Sequence, residues 1–334
     1  MTADPNTMWA MTQGSPGSFT KIEVPRPAPG GLEPGEVLLR VLAGGICGSD
    51  LPYLRGVPNP YRRAGVPGRR CGSAGFPLHE VVGEVLASRD QRFVEGDRVV
   101  GWAESFDGLA ELVVTGGGSL GRYDPTLSPA AAVLMQPLAC VLYAVERMGD
   151  VRGRSCAVLG LGAIGMLFAH VLASRGARTV VGVDPVDRRD VGARFGLDHV
   201  VVSTAAGWAA ELGDDERPEL VVEAVGHQVA TLQDALVAVR ASGTVFYFGV
   251  PDSPIYPLDM ERLVRKHLTL MAGGTLERPR MLAEAGEYLA RYPSLVDDTV
   301  THVFGVEQIQ QAYDCASRPV PGRLKVAIDI ADRP

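Results

Sequence analysis

Two hydrophobic rhythms divide the chain. As far as about Leu138, short apolar runs are broken by prolines, glycines and charges. Val37-Leu-Leu-Arg-Val-Leu42, Glu80-Val-Val-Gly-Glu-Val-Leu86, Asp97-Arg-Val-Val100 and Glu111-Leu-Val-Val114 read as strands, and Pro25, Pro27, Pro29, Pro34 and Gly35 punctuate the approach to the first. From Leu138, helical apolar spacing through Arg147 opens an alternation of strand-like and helix-like segments. Ser155–Leu159, Thr179–Val183, His199–Val202, Leu220–Glu223, Thr244–Phe248 and His267–Met271 are apolar strands; Ala163–Ser174 is a helix, and the polar stretch up to Phe195 is compatible with another. Such near-continuous apolar strands predict a parallel sheet covered on both faces. The segment from about Thr275 ends in Leu324-Lys-Val-Ala-Ile-Asp-Ile330, a strand expected to rejoin the N-terminal β region.

The chain's 334 residues allow about two domains. Hydrophobic and charged fractions of 46% and 21% are those of a globular protein, and a net charge of −7 argues against a nucleic-acid partner. The apolar runs are strand-length or interrupted, short of the roughly 20 residues that span a bilayer, so no membrane partner is expected. The start, Met1-Thr-Ala-Asp-Pro-Asn-Thr7, has neither a basic nor an apolar stretch, and five scattered cysteines fit reduced thiols; a cytoplasmic location is expected.

Candidate chemistry begins with Gly160-Leu-Gly-Ala-Ile-Gly165, which follows a strand and opens a helix. Gly160 allows a tight turn, Gly162 lets the backbone approach a pyrophosphate, and Gly165 lets helix and strand pack closely; Ala163 and Ile164 lie between, at the helix N-terminus that favours phosphate charge. Asp184 closes the second strand, about 20 residues on, where a carboxylate binds ribose hydroxyls and repels a 2′-phosphate, favouring NAD over NADP. Arg188 and Arg189 follow and keep NADP open as the minority option; either could instead stack on the adenine or be solvated. Upstream, Cys47 in Gly45-Ile-Cys-Gly-Ser-Asp50 and the pair His79-Glu80 sit on loops at strand ends. Thiolate, imidazole and carboxylate make a zinc set, although a buried thiol and a polar loop would carry the same letters. No nucleophile elbow and no phosphate-binding lysine loop is present.

Gly45-to-Asp50, His79-Glu80, Gly96-Asp-Arg-Val99, Gln136-Pro-Leu138 and Gly160-to-Gly165 occur in an order that resembles the medium-chain alcohol dehydrogenases, most closely the sorbitol and cyclitol dehydrogenase branch, over nearly the whole chain from Met8. The resemblance implies an α/β protein: a GroES-like β-rich catalytic domain with an inserted Rossmann domain. The expected division is 1–139 for the first catalytic part, 140–273 for the dinucleotide-binding domain and 274–334 for the return segment. It also implies one catalytic zinc on Cys47, His79 and Glu80, Ser49 as proton relay from the alcohol, and Asp50 supporting the site from behind. Val225 and Gly226, with Arg189, are expected to touch the cofactor, and a homodimer or homotetramer is expected.

Three departures accompany the resemblance. Gln136 stands where the family has glutamate and cannot supply an anionic oxygen; hydrogen bonding to the substrate or a water is its expected role. Leu78 replaces the usual glycine before His-Glu, which is expected to alter that turn. Trp102-Ala-Glu-Ser-Phe-Asp-Gly108 contains no cysteine, so no structural zinc is expected. Between Cys47 and His79, Arg55, Arg62, Arg63, Arg69 and Arg70 form a cluster that either selects an anionic small-molecule substrate or is a solvated loop or subunit contact. The functional expectation is NAD-linked interconversion of a secondary alcohol (a polyol, cyclitol or sugar derivative) and its ketone. The rivals are a zinc-free reductase of an activated C=C or C=N, and an NAD-binding sensor or structural protein without turnover.

Overall fold

The computed structural model describes residues 4–14, 17–56, 74–251 and 253–331. The chain divides into two compact units. The first comprises residues 1–139, 277–318 and 324–334; the second, 140–276 and 319–323.

In the first unit, β1 (Thr7–Gln13) and β2 (Phe19–Pro25) pair antiparallel as a separate ribbon. A seven-stranded sheet holds β3 (Glu36–Ile46), β4 (Glu80–Ser88), β5 (Arg98–Trp102), β6 (Leu112–Gly116) and β7 (Leu120–Arg122), together with β14 (Val300–Gly305) and β15 (Lys325–Asp329) from the return segment. Its order is β14-β15-β3-β4-β5-β7, with β6 also on β3. The strand expected to rejoin does so: β15 lies antiparallel to β3, with Val326 opposite Ile46. Leu39, Val81, Val85, Val99, Leu109, Tyr313 and Ile328 fill the core between sheet and return helices. This register puts the ends of β3 and β15 and the start of β4 side by side, so side chains distant in sequence share one small volume.

The second unit is a six-stranded parallel sheet of β8 (Ser155–Leu159), β9 (Thr179–Asp184), β10 (His199–Val202), β11 (Leu220–Glu223), β12 (Thr244–Tyr247) and β13 (Thr269–Ala272), in the order β10-β9-β8-β11-β12-β13. The order reverses between β8 and β11, the topological switch point where doubly wound sheets bind ligands. Cys156–Leu159 and Leu220–Val222 are fully buried, which explains their uninterrupted apolar letters. The polar stretch before Phe195 gives only the short helix Arg189–Gly192 and one 3-10 turn; Gly196, at φ +73°, ends it. The segment Pro129–Arg147 is long and apolar enough to cross a bilayer, more so than the sequence reading allowed, but 72% of it is buried inside the protein. Core packing accounts for its composition.

Candidate active site

In the first unit, Cys47 follows the end of β3, and His79 leads into β4, which Glu80 begins. The three ligand atoms lie within 4.8 Å of one another, the only group of at least three His, Cys, Asp or Glu side chains so placed among the described residues. Asp50 joins two of them. Its Oδ1 meets His79 Nδ1 at 2.8 Å, and its Oδ2 accepts the Cys47 backbone N–H at 3.0 Å. The Asp50 bond occupies Nδ1 and leaves the His79 Nε2 for a metal, the usual carboxylate–histidine arrangement behind zinc. Burial alone would lower the His79 pKa; Asp50 and Cys47 outweigh it and hold the ring well above its ordinary value. The Phe106 ring lies 4.8 Å from the His79 ring, and Tyr53 and Phe76 extend an aromatic wall beside it.

Glu80 is 1% exposed, and neither of its oxygens has a hydrogen-bond partner among the described residues. What faces it is Lys325, 3% exposed, whose Nζ lies 2.5 Å from Oε2 as a charge pair rather than an aligned hydrogen bond. Lys325 also donates to the Ile46 carbonyl at 3.0 Å. Burial pulls the ammonium pKa down, but Glu80, then Cys47 and Asp50, raise it above its ordinary value, so Lys325 is charged. The sequence reading assigned Lys325 no role, although a lone cation inside Leu324-Lys-Val-Ala-Ile328 was a signal. Gly45 leaves the room this arrangement needs: a Cβ there would lie 2.2 Å from Glu80 Oε2 and 2.4 Å from Val133.

Leu78 is held on both sides of the approach to His79. Its N–H donates to Phe106 O at 3.0 Å, its carbonyl accepts Gly108 N–H at 3.0 Å, and its side chain fills the space that Gly44 leaves open. Gln136, in the helix Met135–Arg147, is buried, and Ser49 is half-buried two residues after Cys47. Arg62, Arg63, Arg69 and Arg70 lie outside the described residues.

In the second unit, Gly160 ends β8 at φ +87°, and a Cβ on it would meet Val225 at 2.8 Å. Gly162 caps the helix Ala163–Ser174, which begins with Ala163 and Ile164. A Cβ on Gly165 would lie 1.8 Å from Gly160 O, so helix and turn meet at a distance only glycine permits. Asp184 faces this turn: Oδ2 accepts Leu161 N–H at 2.6 Å and Oδ1 accepts Val186 N–H at 2.7 Å. The two arginines differ sharply. Arg189 is exposed and paired with Asp187, whereas Arg188 is 2% exposed. Across the switch point, Glu223, to which the sequence reading gave no role, ends β11. Its Oε1 accepts the N–H groups of Val225 and Gly226, each at 3.1 Å, and the Thr231 hydroxyl at 2.9 Å. Burial pushes its carboxyl up, against these donors. Val225 and Gly226 are thereby fixed at the C-terminal edge of the sheet.

Comparison with known proteins agrees with this architecture. The alcohol dehydrogenase GroES-like domain matches residues 33–137, and the zinc-binding dehydrogenase domain matches residues 163–290. D-altritol 5-dehydrogenase of Agrobacterium fabrum is 31% identical over 79% of this chain and 85% of its own length. Sorbitol dehydrogenase of Bacillus subtilis is 25% identical over 88% and 90%. The solved alcohol dehydrogenase of a Thermus species superposes with a TM-score of 0.76 at 25% identity, covering 97% of this chain and 100% of that one. An alcohol–ketone oxidoreductase by these relationships, the chain belongs to the zinc-type medium-chain alcohol dehydrogenase family, in its sorbitol and polyol branch.

Proposed function

We propose that this enzyme interconverts a secondary alcohol (a polyol, cyclitol or sugar derivative) and its ketone, using NAD(H) and one catalytic zinc per chain without a structural zinc. The observation that carries the reading is the Cys47–His79–Glu80 group, whose ligand atoms lie within 4.8 Å of one another, with Asp50 behind His79. A thiolate, an imidazole and a carboxylate converging on one small volume are donor types that suit zinc. When bound, zinc would supply the Lewis acidity that eases deprotonation of the alcohol, and the nicotinamide would accept the hydride.

The protein's own groups do the rest. Asp50 fixes the His79 tautomer and ring. Ser49 carries the alcohol proton outward. Gln136 positions oxygen by hydrogen bonding without adding charge. In the second unit, Asp184 grips ribose hydroxyls, and Glu223 holds the Val225–Gly226 backbone that would border the nicotinamide. Polyol-acting relatives support the substrate class. Metal analysis with an NAD-reduction screen over polyols, cyclitols and sugar derivatives tests the whole reading; protein that lacks zinc yet stays fully active in a chelator would overturn it. One observation favours a zinc-free reductase instead: Lys325 already compensates Glu80. The same metal analysis separates the two. A dimer or tetramer is proposed on the edge strand β13, whose outer edge has no partner strand among the described residues and which carries half-exposed Leu270. Light scattering of the purified protein reads that state directly.

A further inference from the structure

Glu80 is fixed by the pairing of β4 with β3 and β5, and the Cys47 backbone by the Asp50 carboxylate. His79 takes its place from residues 76–78, which lead up to it. Residues 103–108 hold the end of that stretch. Leu78 N–H donates to Phe106 O and Leu78 O accepts Gly108 N–H, each at 3.0 Å, while His79 O accepts Ala103 N–H at 2.8 Å. The residue before, Pro77, is held by a different part of the chain. The Tyr313 hydroxyl, 236 positions on, donates to the Pro77 carbonyl and is its only donor among the described residues. Proline has no N–H, so this carbonyl is the one backbone group through which residue 77 can be held. Tyr313 lies in the return helix Ile309–Ala316, is 0% exposed, and packs its ring 4.7 Å from that of Phe19. Phenylalanine would fill that volume as well and bring no polar atom; the hydroxyl is what this sequence adds. Burial first, then the Asp50, Glu80 and Cys47 charges, push the phenol well above its ordinary value, so its proton is in place for the carbonyl.

The geometry points to Tyr313 as a positioning residue for the candidate metal centre: its hydroxyl lets the return helix fix Pro77, and Pro77 fixes where the backbone presents His79. Asp50 and Tyr313 then act on different parts of the same ligand. Asp50 sets the tautomer and plane of the His79 ring through Nδ1. Tyr313 sets the placement of the backbone that carries the ring. Without the hydroxyl, Pro77 O is a buried acceptor with no donor, and buried polar groups are paired. The stretch then gains by turning that carbonyl toward another donor, and Leu78 and His79 turn with it. Zinc accepts ligand distances only within about 0.2 Å, so such a turn costs metal affinity before it costs the fold.

The inference rests on reading Cys47, His79 and Glu80 as a zinc site, and the test keeps the two apart. Wild type, Tyr313→Phe and Phe19→Ala are stripped of metal and titrated with zinc against a competing chelator. Each is also titrated with cobalt(II), whose d–d bands report ligand geometry and whose thiolate charge-transfer band reports Cys47. Phe19→Ala is the control, since it removes the ring packed on Tyr313 and leaves the hydroxyl in place. Both variants are expected to melt a few degrees below wild type when metal-free. Only Tyr313→Phe is expected to weaken zinc, by roughly ten-fold, the lower end of the loss when a group behind a metal ligand is removed. It should also shift the cobalt d–d bands and leave the thiolate band in place. Unchanged zinc affinity and cobalt bands in Tyr313→Phe, beside a lowered melting temperature, would make Tyr313 a packing residue and overturn the inference. So would an equal loss of zinc affinity in Phe19→Ala, which would trace the effect to a general loosening of the core. A wild type that binds neither metal would instead overturn the zinc reading, and the inference with it.

Discussion

Replacing Lys325 with methionine separates the two roles open to Glu80. In metal-free protein, Lys325→Met leaves a carboxylate that is 1% exposed facing an apolar chain, with no partner for either oxygen. Removing one member of a buried pair costs about 3–5 kcal/mol. At roughly 2–4 °C per kcal/mol for a unit of this size, the melting temperature should drop by about 6–20 °C. Zinc changes the outcome if Glu80 is its ligand, because a dication then supplies the missing charge. The remaining loss is the bond to Ile46 O, worth about 1 kcal/mol. Zinc should therefore stabilise the variant by about 2–4 kcal/mol more than it stabilises wild type, equivalent to roughly 30- to 1,000-fold tighter binding. The assay is thermal unfolding of chelator-treated and zinc-loaded forms of both proteins, with bound zinc measured in each. An equal drop in both forms, with zinc still retained, would refute the reasoning and leave Glu80 as a structural partner of Lys325.

Further outcomes follow from the same geometry. Gly45→Ala should expel zinc and lower activity at least as far as Glu80→Gln, since its Cβ would overlap Glu80 Oε2; a variant with full metal content contradicts this. Cys47→Ala should lose zinc while keeping the native circular dichroism spectrum, because a catalytic zinc is not what folds the sheet. Asp184→Ser should weaken NADH binding by about ten-fold or more, in line with loss of a charge-assisted contact, and unaltered NADH affinity in fluorescence titration argues against the ribose role. Cys156 is buried, and desolvation pushes its thiol up to about 12, so native protein should show no reaction of Cys156 with a thiol reagent at pH 8. Because the folded value exceeds the unfolded 9.0, its contribution to stability is full below pH 9 and is lost as pH rises toward 12, which denaturant titration across that window measures.

The parallel sheet was legible because strands buried on both faces must be apolar throughout, and the glycine turn because only hydrogen fits at Gly160 and Gly165. Cys47, His79 and Glu80 were legible as letters on loops, and the structure brings their donor atoms together. Other parts were hidden for identifiable reasons. The β1–β2 ribbon has no clean alternation, since Met8 and Trp9 are half-buried beside buried Ala10 and Met11. Lys325 became a site residue only through the pairing of β15 with β3, a contact no local pattern encodes. Arg188 and Arg189 are identical letters; Asp187, which draws one of them into solvent, distinguishes them. The space at Gly44 that takes the Leu78 side chain lies on another strand, so no local pattern reveals it.

The pairing of β15 with β3 also sets an order of events on the ribosome. Lys325 reaches the carbonyl of a residue 279 positions earlier, so β3 and β4 leave the exit tunnel long before the strand that completes their sheet. Through that interval Glu80 has no ammonium beside it, and the β3 edge that β15 will occupy is open. The second unit's strands, all translated in between, have their partners at hand and can form as they emerge. A nascent chain stalled before Lys325 would therefore carry a finished parallel sheet beside an open one, and protection of the β3 edge would report that translation had passed β15.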